Sequence, residues 1–164
     1  MDRQVGVMEK IEAHRHGHLH RAFSVFLINE KNEMLLQQRA FSKYHSPGLW
    51  SNACCSHPRP GETNEDAAAR RLNEEMGIVC DLTKIHSFIY QVDLKNGLFE
   101  HEYDHVFRGV FSGTPEINLE EVADWKFVSL EELQRDVAKH PLSYTHWFRL
   151  LSEADIFEKL VNRS

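Results

Sequence analysis

Eleven histidines in 164 residues, four of them at His14, His16, His18 and His20, raise the question of a bound metal, because imidazole is a common ligand of first-row divalent ions. A second concentration of reactive groups lies at Cys54-Cys55-Ser56-His57, and a third at Glu100-His101-Glu102. A spacing of two puts both carboxylates on one face of a strand. Positive charge able to grip an anion stands at Lys10, Arg39, Lys43, Arg70 and Arg71. Arg71 and Glu75 are four apart, so on a helix they share a face and can meet one ligand. The plainer reading of that pair is a solvated ion pair. Three cysteines, two of them adjacent, make a poor disulfide framework, and reduced thiols are expected.

The elements that must position these groups can be read from patterning. Ala22 to Ile28 is rich in strand formers, and Asn29-Glu-Lys-Asn32 supplies turn residues before Met34 to Gln37, which predicts a hairpin. Leu49 to Cys54 is expected to extend as a strand, and Pro58, Pro60 and Gly61 then enforce a loop. Asn64 is the expected N-cap of a helix over residues 65–76, with Glu65 and Asp66 in its first turn and Gly77 as its stop. Lys84 to Leu94 and Phe99 to Phe111 read as strands around the Asn96-Gly97 turn, and Asp124 to Val128 as a shorter one. Ser129-Leu-Glu-Glu132 has the form of a capping box opening a helix to about Lys139. Beyond Pro141, apolar residues at helical spacing predict two short helices separated at Ser152. Strands in the middle and helices around them make an α+β domain.

At 41% hydrophobic and 27% charged the composition is that of an ordinary globular chain, and its length suits a single domain spanning residues 1–164. The longest apolar run, Ala22 to Ile28, is far too short to span a bilayer, and the first ten residues lack a secretory pattern, so a cytoplasmic protein without membrane association is expected. A net charge of -6 disfavours nucleic acid as a partner.

From Ser56 through Glu62, Arg70, Leu72, Glu74, Glu75, Gly77 and Ile78 the spacing follows the Nudix box, a loop-helix-loop that binds a divalent cation and a diphosphate. It departs twice. Ser56 stands where that box has Gly, and Arg71 where it has its first Glu, so a cation replaces a metal ligand used in hydrolysis. With Lys10-Ile-Glu-Ala-His14, Leu19-His-Arg-Ala-Phe23, Gln38-Arg-Ala-Phe-Ser-Lys43, Pro47-Gly-Leu-Trp-Ser-Asn52, Cys54-Cys-Ser-His-Pro58, Glu65-Asp-Ala67 and Glu100-His-Glu102, the sequence resembles type 1 isopentenyl-diphosphate delta-isomerases of the Nudix superfamily. The blocks run from near the start to Trp147.

The resemblance implies a Nudix-like mixed β-sheet domain flanked by helices, and a 1,3-allylic proton shift between isopentenyl and dimethylallyl diphosphate. That chemistry protonates an unactivated alkene, passes through a carbocation-like species and loses a proton elsewhere. It needs two proton carriers on opposite faces of a flat hydrocarbon, and a dry site tolerant of positive charge. By resemblance, Cys55 and Glu102 are the carriers, with Glu102 expected to deliver the proton, Tyr90 to assist it and Cys55 to act on the removal side. Trp147 lies against the cation, where an indole face is worth about 2 kcal/mol when desolvated. Cys54 is expected only to pack. The family's metal site maps to His14, His20, His57, Glu100 and Glu102, suited to Mn, Zn or Mg, with His16 and His18 as bystanders. Arg39, Lys43, Arg71 and Lys10 map to diphosphate contacts, and Glu75 to a Mg2+ bridging the diphosphate. A small-molecule diphosphate is thus the expected partner, in a monomer or weak homodimer. Many family members carry a further strand before the segment equivalent to Asp2–Gly6. The sequence begins after that strand, so either the missing edge is tolerated or the true start lies upstream, and stability and edge protection are expected to be affected more than chemistry. The rival readings are a Nudix hydrolase of a nucleoside diphosphate derivative and a non-catalytic binding module. Arg71 opposes the first, and the retained proton carriers oppose the second.

Overall fold

A computed structural model describes residues 2–153 and 156–161. Its centre is a mixed sheet of strands β1 (His20–Ile28), β2 (Glu33–Arg39), β3 (Trp50–Asn52), β4 (Cys54–Ser56), β5 (Thr83–Asp93), β6 (Phe99–Val110) and β7 (Val122–Ser129). Helices α1 (Lys10–His16), α2 (Asn64–Met76), α3 (Leu130–Lys139), α4 (His146–Glu153) and α5 (Ile156–Val161) flank it, with a 3-10 turn at Pro141–Ser143. No described helix is long and apolar enough to cross a membrane.

The expected hairpin forms with Ile28 opposite Met34, and Asn32 takes the left-handed conformation that Asn tolerates. Its strands then part. β1 pairs in parallel with β6, from His20 opposite Glu102 to Ile28 opposite Val110, and antiparallel with β4. β2 pairs antiparallel with β3 and β7. The sheet therefore has two wings that open from the hairpin, and the groove between them leads to the polar end of β1. The single strand expected over Leu49 to Cys54 is instead two three-residue strands, because the chain crosses from the β2 wing to the β1 wing at the buried Ala53. The strand expected at Asp124 to Val128 is longer at both ends, since β7 follows β2 from Glu33 to Arg39.

Alternation along β1 explains the two cores. Phe23, Val25 and Leu27 face α2, where they meet Ala67, Ala68, Leu72 and Met76. Phe26 and Ile28 face the other layer, with Leu133, Val137, Phe148 and Leu151 from α3 and α4. A fully buried Leu or Phe contributes about 1.5–3 kcal/mol by leaving water, so both layers are held on the sheet mainly by apolar burial. Cys54 belongs to the α2 core and is fully buried, as expected.

Thr63, not Asn64, caps α2. Its backbone is extended (φ -74°, ψ 159°) and its hydroxyl accepts from the Asp66 N–H, while Asn64 is already helical. Gly77 ends the helix at φ 64°. A Cβ there would lie 2.7 Å from the Glu116 Cβ and 2.8 Å from its carbonyl oxygen. Gly77→Ala is therefore expected to cost about 2–3 kcal/mol, from the left-handed backbone together with the clash. A urea titration should show it as a lower midpoint with an unchanged slope; a midpoint equal to wild type would contradict it. Ser129 caps α3 as expected. Ser152 lies inside α4, where its hydroxyl bonds the Arg149 carbonyl, so the break between the last two helices does not fall there. α4 is described to Glu153 and α5 from Ile156, and 154 and 155 lie outside the described residues.

Candidate active site

The face of β1 that carries Phe26 and Ile28 turns polar toward its start, at Ser24 and His20. The same happens on β6, where Val106 is followed backwards along the face by Asp104, Glu102 and Glu100, all buried. Pairing then assembles a row across three strands: His20 is opposite Glu102, and Glu102 is opposite Tyr90. β4 brings Cys55 opposite Ser24, two positions further along that face. One cleft collects Cys55, His57, Glu100, Glu102, Trp147, Lys10, Arg39, Lys43, Arg71 and Glu75.

His14 donates from Nδ1 to the Lys10 carbonyl and His20 from Nδ1 to the His18 carbonyl, both at 2.7 Å. These bonds fix the tautomers and leave each Nε2 as a lone pair. Both Nε2 atoms are buried with no hydrogen-bond partner. With His57 and Glu102 they supply four ligand atoms within 4.8 Å of one another. Oε1 of Glu102 lies 3.9 Å from His14 Nε2, 3.6 Å from His20 Nε2 and 2.9 Å from His57 Nε2. Orphaned lone pairs converging from His14 and His20, beside His57 and a carboxylate that bond each other, fit a divalent ion. Glu100 stands just outside this four-residue set and lines the same cleft. His16 and His18 are exposed.

Charge states follow from burial and partners. Burial lowers the pKa of His57 to about 4 and lowers that of His14, which keeps both imidazoles neutral and available as ligands. Burial opposes ionisation of Glu102, but the neighbouring His20 and His57 imidazoles prevail and hold it below the usual carboxylate range. Glu100 is pushed the other way, by burial and by the Glu102 charge. Tyr90 is 7% exposed and donates its hydroxyl to Glu102 Oε2 at 2.7 Å, which excludes a surface role for that tyrosine. Burial and the nearby Asp104 raise the Cys55 pKa, so the resting group is a thiol.

The cations line the opposite side of the cleft. Arg39 is buried, donates to the His45 carbonyl, keeps its Nε unpartnered and stacks 5.4 Å from the Trp147 ring. Arg71 pairs with Glu74, Glu75 and Glu121, and Lys43 also pairs with Glu121. The pairs with Glu74 and Glu121 are partly exposed and worth about 1 kcal/mol or less, so an incoming dianion can displace them. Glu75 is buried and accepts from Gln37 at 2.9 Å. Trp147 is 4% exposed with its indole N–H unpartnered. It reaches the cleft because Thr145 and Tyr144 tie the start of α4 to Trp50 on β3.

The family model of the NUDIX domain matches residues 18–148. The chain is 53% identical to isopentenyl-diphosphate Delta-isomerase 2 of Aromatoleum aromaticum over 146 residues, 89% of this chain and 77% of that protein. It is also 53% identical to isopentenyl-diphosphate Delta-isomerase 2 of Photorhabdus laumondii, over 90% of this chain and 84% of that one. The chain belongs to the isopentenyl-diphosphate Delta-isomerase family, within the NUDIX domain proteins. The fold reaches further than the family does. The MutT protein of Methanosarcina mazei superposes with a TM-score of 0.69 at 22% identity, covering 86% of this chain and 94% of that one. A MutT NUDIX hydrolase of Burkholderia pseudomallei gives 0.61 at 19%, covering 88% and 99%. Those likenesses concern architecture alone, and the isomerase family membership rests on the sequence relatives.

The residues expected at the site line the one cleft or belong to its His–Glu group, except Tyr90, which is buried against Glu102 and reaches the site through it. Several neighbours were not anticipated. Asp104 continues the Glu100, Glu102 alternation by one more step, a signal present in the sequence. Ser24 and Asn52 are buried within strand patterns and carry no local mark of function. His45 lies in an irregular loop, edge-on to Trp147 with its Nδ1 4.0 Å from Glu100, and Glu121 comes from a distant turn.

Proposed function

We infer that this chain interconverts isopentenyl diphosphate and dimethylallyl diphosphate. The observation that carries the reading is a single cleft holding a thiol on β4 and a carboxylate on β6, with an indole and a row of cations around them. In the form that acts on isopentenyl diphosphate, Glu102 carries a proton and Cys55 is the thiolate. Glu102, backed by the Tyr90 hydroxyl, delivers its proton to the terminal alkene carbon, and the Cys55 thiolate removes one on the other side of the former double bond. That leaves the thiol and carboxylate from which the opposite direction starts. The reverse reaction exchanges their roles. Trp147 presents a π face to the tertiary cation. Buried side chains around the olefin keep out the water that would capture that cation.

His14, His20, His57 and Glu102, with Glu100 beside them, would hold one divalent ion, Mn, Zn or Mg by donor chemistry. When bound, that ion supplies positive charge that fixes the Glu102 rotamer and lowers its proton affinity, making it the stronger acid that an unactivated alkene requires. Glu75 would meet a Mg2+ carried by the diphosphate. Arg39, Lys43, Arg71 and Lys10 bind and orient the diphosphate, and Arg71 offers the forked donors that a phosphate accepts. Arg71 also occupies a position from which a hydrolytic NUDIX site would offer a carboxylate, which favours a diphosphate that is gripped and left intact.

The test mixes purified protein with isopentenyl diphosphate and Mg2+ and follows proton and phosphorus NMR. Dimethylallyl diphosphate without phosphate release is expected; phosphate release from it or from nucleoside diphosphate derivatives would identify a hydrolase instead. Arg39→Ala is expected to raise KM about 10- to 100-fold with a smaller change in kcat, because a charge-assisted contact to a buried anion is worth about 1.5–3 kcal/mol. Steady-state kinetics over a range of substrate checks this, and an unchanged KM would remove Arg39 from the diphosphate site.

A further inference from the structure

Cys55 sits in a wall whose hydrogen bonds run in one sense. Asn52 is fully buried, and its Nδ2 donates to the carbonyls of Val25 at 3.0 Å and Cys54 at 2.9 Å. Those two carbonyls settle which end of the amide is nitrogen. Oδ1 must therefore face the other way, where it accepts from the Cys55 thiol at 3.1 Å and from the Ser51 hydroxyl at 3.0 Å. On the other side of the sulfur, Ser24 Oγ lies 3.4 Å from Sγ and donates its hydrogen to Asp104 Oδ2 at 2.7 Å. The sulfur is thus held between the acceptor Oδ1 of Asn52 and a hydroxyl that Asp104 ties to β6. Asn52 lies behind the cleft wall, whereas Cys55 and Ser24 line it.

We propose that Asn52 and Ser24, the latter tied to Asp104, are positioning residues for Cys55: they hold the sulfur between them at the cleft wall, facing the reacting carbon, and Asn52 Oδ1 receives the hydrogen that the sulfur gains. The cage draws on four strands, β1, β3, β4 and β6, so it is set by tertiary pairing. In the removal step Cys55 enters as the thiolate, a C–H bond of the substrate breaks and an S–H bond forms. The carbon keeps the electron pair as the new double bond, and the hydrogen rotates onto Asn52 Oδ1, away from the product. This deepens the isomerase reading of the same site and rests on it.

Ser24→Ala carries the test, since it removes one hydroxyl, whereas replacing Asn52 also strips two backbone carbonyls of their donor. With isopentenyl diphosphate, Ser24→Ala is expected to lower kcat about tenfold at unchanged KM, the scale of one hydrogen bond, and Ser24→Thr should recover most of the loss. Independently, the infrared S–H stretch of Cys55, identified as the band that Cys55→Ala lacks, should lie at a hydrogen-bonded frequency in the wild-type chain and move in Ser24→Ala. A wild-type kcat in Ser24→Ala, a loss that Thr does not rescue, or an unmoved S–H band would overturn the cage. The infrared arm needs no turnover. Failure of the wild-type protein to isomerise the substrate would sink the isomerase reading, and the S–H band would still decide the cage.

Discussion

Cys55→Ala is expected to lower kcat by roughly 10²- to 10⁴-fold, the contribution of a positioned proton carrier, while leaving the protein folded. The sulfur is half-buried at the cleft wall, and its removal deletes one small group without breaking the pairing of β4 with β1, which is made by backbone. The stability change should stay within about 1 kcal/mol. KM should hardly move, because the anion contacts come from Arg39, Lys43, Arg71 and Lys10 elsewhere in the cleft. Single-turnover kinetics and a urea curve on the same preparation check both halves. A variant as active as wild type would remove Cys55 from the chemistry, and one that fails to fold would show the sulfur to be structural.

Glu102→Gln should produce the second large loss, and in two quantities at once. Gln keeps the shape and can still accept the Tyr90 hydroxyl at Oε1, so the three-strand row survives. It cannot carry a proton to carbon, and it removes the negative charge from the His14, His20 and His57 cluster. Turnover is expected to fall by at least about 10³-fold and affinity for Mn or Zn by at least about a hundredfold, beyond the 10- to 100-fold typical of losing a residue that only supports a ligand. Calorimetric metal titration and turnover should fall together. Full metal affinity in a dead variant would confine Glu102 to proton transfer, and full activity would exclude it from both roles.

Much of the architecture could be read locally. The Asn96-Gly97 hairpin, the Ser129 cap and the helix ending at Gly77 are set by residues within a few positions, and each formed. The Glu100, Glu102 pairing needed only strand alternation. Local signal failed where tertiary pairing decides. Thr63 and Asn64 are both good caps, and the loop backbone selects the first. Leu49 to Cys54 reads as one strand because nothing in it marks the passage between wings. Asn52 and Ser24 look like ordinary strand residues until β3, β4 and β1 lie side by side. Asp104 was legible in principle as a third acid on the same face. His45 was not, since an irregular loop has no period to betray which way its side chain turns.

The two-carrier arrangement is tested most directly by turning over isopentenyl diphosphate in deuterated water with Mg2+ and locating the label by NMR. Delivery of a solvent-exchangeable proton from one side and loss on the other predicts deuterium in a methyl group of the dimethylallyl diphosphate formed. Product carrying no solvent deuterium would mean a direct hydrogen migration within the substrate, and would contradict a thiol and a carboxylate working across one olefin.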